Sequence, residues 1–130
     1  MLRLRTLLRN LRVSRYHETA PVEVPGLQPP FLNAAAVGDA TGSARQLLDQ
    51  LLAVEQERGR ERHEHHGPRT LDLDLVLFGN SVILEEGLVV PHPRFRERRF
   101  VLAPLAEIAP GLIDPVTGQK VSDLLTRVAV

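Results

Sequence analysis

The stretch Gly67-Pro68-Arg69-Thr70-Leu71-Asp72-Leu73-Asp74-Leu75-Val76-Leu77-Phe78 is where residue type and spacing point most directly to chemistry. Its alternation has the period of a β-strand, so Leu71, Leu73, Leu75 and Leu77 share a face that wants a core. Asp72 and Asp74 share the other face, and Val76 and Phe78 continue it. Residues two apart on a strand lie roughly 6.6 Å apart. Two bare carboxylates at that distance repel by roughly 2.5 kcal/mol at an effective dielectric of about 20. Two readings fit: solvated aspartates on the wet side of a sheet, or oxygen ligands on a cleft floor. The apolar residues adjoining them speak for the cleft. Carboxylates on one rigid strand suit hard divalent cations, with water and substrate phosphates completing the shell.

The arginines extend this reading. Arg60, Arg62 and Arg69 precede the aspartates, and Arg94, Arg96, Arg98 and Arg99 follow the turn Pro91-His92-Pro93. Of 16 basic residues only Lys120 is not Arg, which fits a coding bias but does not explain the clustering. A planar guanidinium grips phosphate as a fork. Divalent metal flanked by arginines is the apparatus of phosphoryl transfer, where positioning and charge stabilisation supply most of the catalysis. Neither a P-loop nor a kinase-type glycine loop occurs. His63, His65 and His66 resemble metal ligands, but with no Cys in the chain a His-rich hydrophilic loop is the better reading. His92, stiffened by two prolines, fits a phosphate contact or an ordinary turn residue.

These groups must be positioned by short elements. Leu2, Leu4, Leu7, Leu8 and Leu11 predict an N-terminal helix, and Val13 to Thr19 a strand. Four prolines and a glycine between Ala20 and Pro30 predict an irregular loop. Phe31 to Val37 reads as a strand. Ser43 to Arg58 is the clearest helix, with Ser43 and Gln46 at capping-box spacing and a Leu stripe. Glu55 falls at the edge of that stripe, as a boundary carboxylate or a functional one. Thr70 to Phe78 reads as a strand ended by the turn Gly79-Asn80; Ser81 to Leu84 and Leu88 to Val90 follow as short strands. Phe100 to Ala106 and Val121 to Val128 read as helices, with Pro104 near the first turn of one and Ser122 a cap for the other. This mixture argues an α+β class in a single domain spanning 1–130.

Composition excludes several alternatives. Net charge is 0, from 16 basic and 16 acidic residues, so bulk attraction to nucleic acid or an anionic membrane is not expected. No apolar run approaches the roughly 18 residues of a membrane helix. A cytoplasmic location is expected from the lack of Cys and of a leader pattern.

The same residues resemble the 6-hydroxymethyl-7,8-dihydropterin pyrophosphokinase family of folate biosynthesis. Gly67 to Leu75 looks like its signature; Ser14 to Val22, Phe31 to Ala35, Val90-Pro91-His92, Arg98 to Leu105 and Glu107 to Pro110 resemble further blocks in the family's order. The resemblance implies a ferredoxin-like αβα sandwich with a mainly antiparallel sheet. It implies transfer of pyrophosphate from the co-substrate ATP to the pterin hydroxymethyl group, with release of AMP. Asp72 and Asp74 would hold two magnesium ions. Arg60, Arg62, Arg69, His92 and Arg98 match positions at the triphosphate, and Glu55 one on the helix beside the nucleotide. Phe31 and Phe100 match rings that sandwich the pterin; Asn33 matches the reader of its edge, helped by Thr19 and the backbone near Val22.

The chain also departs from the family. It lacks the opening strand and the Gly-Ser-Asn-Leu-Gly-type turn, so it is expected to miss a central strand and to expose sheet edges suited to self-association. His65-His66 replaces the usual Arg-Trp, and Pro93 an aromatic. The rival expectation is therefore a shortened relative that binds nucleotide, pterin or another chain without turnover.

Overall fold

A computed structural model describes residues 2–19, 31–61 and 73–128. Helix α1 (Leu2–Leu7) leads into strand β1 (Arg9–Val13). The leucine spacing predicts a helix continuing to Leu11, but Asn10 takes a left-handed φ of 54° and its side-chain amide donates to Asp39 at 2.8 Å. Asn accepts that conformation at small cost. Leu8 and Leu11 still reach the cluster around Leu4, so the apolar stripe is satisfied by a helix followed by a strand.

Strand β2 (His17–Thr19) pairs antiparallel with β3 (Phe31–Asn33), His17 opposite Asn33 and Thr19 opposite Phe31. Strand β4 (Ala36–Asp39) pairs antiparallel with β1. The expected single strands Val13–Thr19 and Phe31–Val37 are thus each split, and the breaks are stitched together: Ser14 N–H donates to Ala35 O at 2.8 Å, and Ala35 N–H donates to Ser14 Oγ at 2.9 Å.

Helix α2 (Ala44–Glu61) opens on the predicted capping box. Gln46 N–H donates to Ser43 Oγ at 3.1 Å, and Ser43 N–H to Gln46 Oε1 at 2.8 Å, so two otherwise open donors are closed. Strands β5 (Ile83–Glu85) and β6 (Leu88–Val90) form a hairpin whose turn puts Gly87 at φ 77°. A 3₁₀ turn (Phe95–Glu97) precedes α3 (Arg99–Ile108), and α4 (Val121–Arg127) follows. Pro104 lies well inside α3 rather than near its first turn, because the helix begins at Arg99. Lys120, not Ser122, caps α4, and without a side-chain bond.

Residues 73–78 form no regular element and enter no ladder among the described residues, where the alternation predicts a strand. Apolar contact on both sides holds them instead. Leu73, Leu75 and Phe78 pack toward Leu4, Leu47 and Leu51 of α1 and α2. Val76 and Leu77 pack toward Phe95, Leu102, Leu105, Val121 and Leu124 of the 3₁₀ turn, α3 and α4. β4 is divided likewise, Ala36 to one side and Val37 to the other. These segments therefore lie between two sets of helices, an α+β arrangement with antiparallel pairing. None of the described helices is long and apolar enough to cross a membrane.

The 3₁₀ turn is anchored by a buried ion pair that the residue pattern does not announce. Asp114, fully buried, accepts from Arg96 Nε at 2.5 Å and Nη2 at 3.0 Å, from Val116 N–H at 3.0 Å and from Thr117 Oγ at 2.7 Å. Arg96 also lies 4.9 Å from the Phe95 ring centre. Its charge is thus spent on the fold, whereas the arginine cluster suggested a phosphate contact. The Arg96 guanidinium, helped by Thr117 and the Val116 amide, pulls the Asp114 carboxyl down to about 2. A depressed carboxyl stabilises the fold fully above its unfolded value near 4 and loses that effect as pH falls through 2. Asp114→Asn is expected to cost about 2–3 kcal/mol at pH 7. Urea unfolding of wild type and variant should converge as pH drops from 4 to 2; a constant gap over that range would refute the assignment.

Candidate active site

A cavity of about 690 Å³ runs along residues 33–40 and 73–81 and is walled by Leu47 and Leu51 of α2 as well as by Phe100, Val101 and Leu105 of α3. Asp74, His92, Arg98, Asn33 and Phe100 all line it. These five are among the residues singled out from sequence, and they arrive from four separate parts of the chain. Thr19 and Phe31 are register partners in the β2–β3 ladder, two positions along from the His17–Asn33 pair, and Arg60 falls in the last turn of α2. Asp72, Arg62, Arg69, Val22 and the His63, His65, His66 cluster lie outside the described residues.

Asp74 is exposed, and its neighbours Leu73 and Leu75 are half-buried toward α2. The alternation over residues 73–75 therefore turns its carboxylate away from α2. Glu55 on α2 accepts a hydrogen bond from the Leu73 N–H. It does not line the cavity; it ties α2 to the residue beside Asp74. A segment without a ladder has open amide groups, and a carboxylate closing one of them holds its height against the helix.

His92 is fixed at two points. Its N–H donates to Val76 O at 2.8 Å, which joins the turn after β6 to the Asp74 segment. Its ring Nδ1 accepts from Arg94 N–H at 3.2 Å. An Nδ1 that accepts carries no proton, so the neutral ring bears its proton on Nε2 and can donate there. Val90–Pro91 is cis, and Pro91 and Val90 are buried, so the turn is well seated.

Arg98 caps α3 without a side-chain bond, its carbonyl accepting from Val101 and Leu102 at 2.9 and 3.0 Å. Its guanidinium carbon lies 5.5 Å from the Phe100 ring centre. That stacking orients a cation and an aromatic face together at the cavity wall. Phe100 is 38% exposed, unusual for so large an apolar ring, and its exposed area faces a cavity rather than a flat surface.

Among the described residues no three His, Asp or Glu side chains gather as a metal site. The donor chemistry nevertheless suits magnesium, which takes one or two protein carboxylates and leaves the remaining positions to water and phosphate. An exposed Asp on a half-buried segment meets that demand.

Sequence reasoning missed two functional ties. One is Asp114 with Arg96, for which Asp-Pro-Val-Thr-Gly, a turn with a Thr three residues after the Asp, was an available signal. The other is Glu107, which reaches from α3 to Arg15 and His17 and has no local signal.

Glu55→Ala is expected to raise hydrogen exchange at the Leu73 amide about tenfold, from loss of a bond to a charged group. Glu55→Gln, which keeps an acceptor oxygen, should restore most of the protection. Unchanged exchange in the Ala variant would show that the tie does not hold the segment.

A family model described as 7,8-dihydro-6-hydroxymethylpterin-pyrophosphokinase matches residues 1–110. A 2-amino-4-hydroxy-6-hydroxymethyldihydropteridine pyrophosphokinase of Synechocystis sp. is 45% identical over 101 residues, 78% of this chain and 52% of that protein. The protein of the same name in Haemophilus influenzae is 40% identical over 116 residues, 89% of this chain and 71% of the relative. Its Bacillus subtilis namesake is 47% identical over 97 residues, 75% of this chain and 58% of the relative. The chain thus spans from about half to about seven tenths of the length of these relatives.

Proposed function

Because the chain belongs to the 7,8-dihydro-6-hydroxymethylpterin-pyrophosphokinase family, we propose that it transfers the terminal diphosphate of ATP to the hydroxymethyl oxygen of a reduced pterin. The hydroxyl oxygen bonds to the β-phosphorus, the bond from that phosphorus to the α,β-bridging oxygen breaks, and AMP leaves with the oxygen. The hydroxyl proton passes to solvent or a base. The observation that carries this reading is the shared cavity: a carboxylate, a His donor, a guanidinium, an amide and an aromatic face line one space of about 690 Å³.

Each group has a place in the proposal. Asp74 with Asp72 is the magnesium-binding pair, two ions being expected; bound there, magnesium offsets the charge of the polyphosphate. His92 donates from Nε2 to a phosphate oxygen, and Arg98 offers its fork, with Arg60, Arg62 and Arg69 completing the cationic wall. Phe100 and Phe31 hold the faces of the pterin, while Asn33, which has both a carbonyl and an amino group, reads its edge with Thr19 and the backbone near Val22. Glu55 supports the Asp74 segment, beside the nucleotide. A ferredoxin-like arrangement fits the antiparallel pairings and the helices on both sides of β4 and residues 73–78.

The test is product analysis. With ATP, magnesium and 6-hydroxymethyl-7,8-dihydropterin the protein should release AMP; release without the pterin, or release of ADP, would overturn the proposal. Asp74→Ala is expected to lower kcat about 10²–10³-fold, the scale of removing one preorganised charge-stabilising group. Chelation of magnesium should stop turnover and its return restore it.

A further inference from the structure

Phe100 and Glu107 lie seven residues apart on α3. At 3.6 residues per turn that is about two turns, so both leave the same side of the helix. Phe100 ends at the cavity. Glu107 ends on the β1–β2 stretch: its Oε2 accepts from Arg15 N–H at 3.0 Å, and its Oε1 lies 2.8 Å from His17 Nε2 and 3.5 Å from Arg15 Nε. Next to it, Arg12 Nη1 donates to Ile108 O at 2.9 Å, closing a carbonyl at the helix end.

The far end of this tie matters as much. His17 stands opposite Asn33 in the β2–β3 ladder. Directly opposed residues of an antiparallel pair project to the same side. The Ser14–Ala35 pair of bonds joins the same stretch to the chain just after Asn33. One carboxylate therefore links the face of α3 that bears Phe100 to the cross-strand neighbour of Asn33.

We propose that Glu107 is a positioning residue that sets the gap between Phe100 and the Asn33 strand, and so makes the cavity selective for a flat heterocycle one ring thick. This rests on the pterin reading above. A shift of about 1 Å in a positioning contact is enough to cost up to 10²-fold. The Arg15 amide first, then the His17 ring, holds the Glu107 carboxyl below the usual carboxylate range, so the tie stays charged at neutral pH.

The experiment compares wild type with Glu107→Ala and Glu107→Gln, in steady-state kinetics and in calorimetric binding of 6-hydroxymethyl-7,8-dihydropterin. In the Ala variant the pterin KM and Kd are expected to rise about tenfold, while the ATP KM stays within about twofold and kcat within about threefold. In the Gln variant, which keeps an oxygen for the Arg15 amide, most of the pterin affinity should return. A merely stabilising role would lower Tm and leave that split unmoved; equal pterin affinity in folded wild type and Ala variant overturns the proposal, as does an equal rise in both KM values. Should the Ala variant not fold, His17→Ala carries the test from the other side, with an expected threefold rise in pterin KM and the same overturning result. Wild type that binds no pterin and releases no AMP overturns the functional reading, and this inference with it, whereas binding unaffected by either variant overturns this inference alone.

Discussion

Burial of residues 73–78 from two sides is the constraint on which the remaining structure depends. Leu73, Leu75 and Phe78 are drawn to the leucines of α1 and α2, and Val76 and Leu77 to the cluster of Phe95, Leu102 and Val121. Each such side chain contributes about 1.5–3 kcal/mol when fully buried, less in proportion here because these are half-buried. A segment clamped this way cannot rotate by one residue without driving a charged group into one cluster. Asp74 is thereby pointed away from α2 by the needs of its neighbours. The bond from His92 N–H to Val76 O then places the imidazole by reference to the same segment. The cavity is assembled from parts that the apolar packing has already aligned.

The arginines show how one residue type divides its labour. Arg96 is committed to a buried carboxylate, Arg45 bonds Glu85 and the Glu86 carbonyl across to the β5–β6 hairpin, and Arg12 closes a helix end. Arg98 stacks on the ring it shares a cavity with. Each use exploits a fixed fork of donors on a long apolar stem. Clustering along the chain therefore says little about clustering around a ligand; what decides is whether a buried acceptor such as Asp114 claims the guanidinium first.

Local chemistry was the legible part of the fold. The Ser43–Gln46 cap, the Leu stripe of α2, the turn at Gly79-Asn80 and the hairpin around Gly87 all follow from residues within a few positions of one another. The Leu–Asp alternation identified Leu73 and Leu75 as facing α1 and α2, but Leu77, expected on that face, packs with Val76 on the α3 side and Phe78 turns back toward α2, so both sides of segment 73–78 are apolar. The alternation did not settle whether that segment has hydrogen-bonded neighbours, since a ladder depends on another strand's edge and not on the strand's own side chains. The break between β1 and β2 was illegible for a similar reason: the bonds between Ser14 and Ala35 join residues 21 positions apart. Of the site, Asn33, Asp74, His92, Arg98 and Phe100 were readable from the motifs and do share a cavity. Glu107 was not, because its partners Arg15 and His17 lie 92 and 90 positions away and nothing in the local pattern marks an exposed Glu as a brace.

Pro104 gives α3 an unusual mechanical character. A proline has no N–H, so the carbonyl of Phe100 lacks the usual donor four residues on, and the ladder of α3 is interrupted one turn after it starts. A helix with a missing rung bends more readily there. The orientation of its opening turn is then governed less by internal stiffness than by its moorings: the guanidinium–carboxylate lock on the preceding 3₁₀ turn and the brace at its far end. α3 behaves as a beam with a soft joint, held at both abutments, and the aromatic plate it carries into the cavity sits beside that joint.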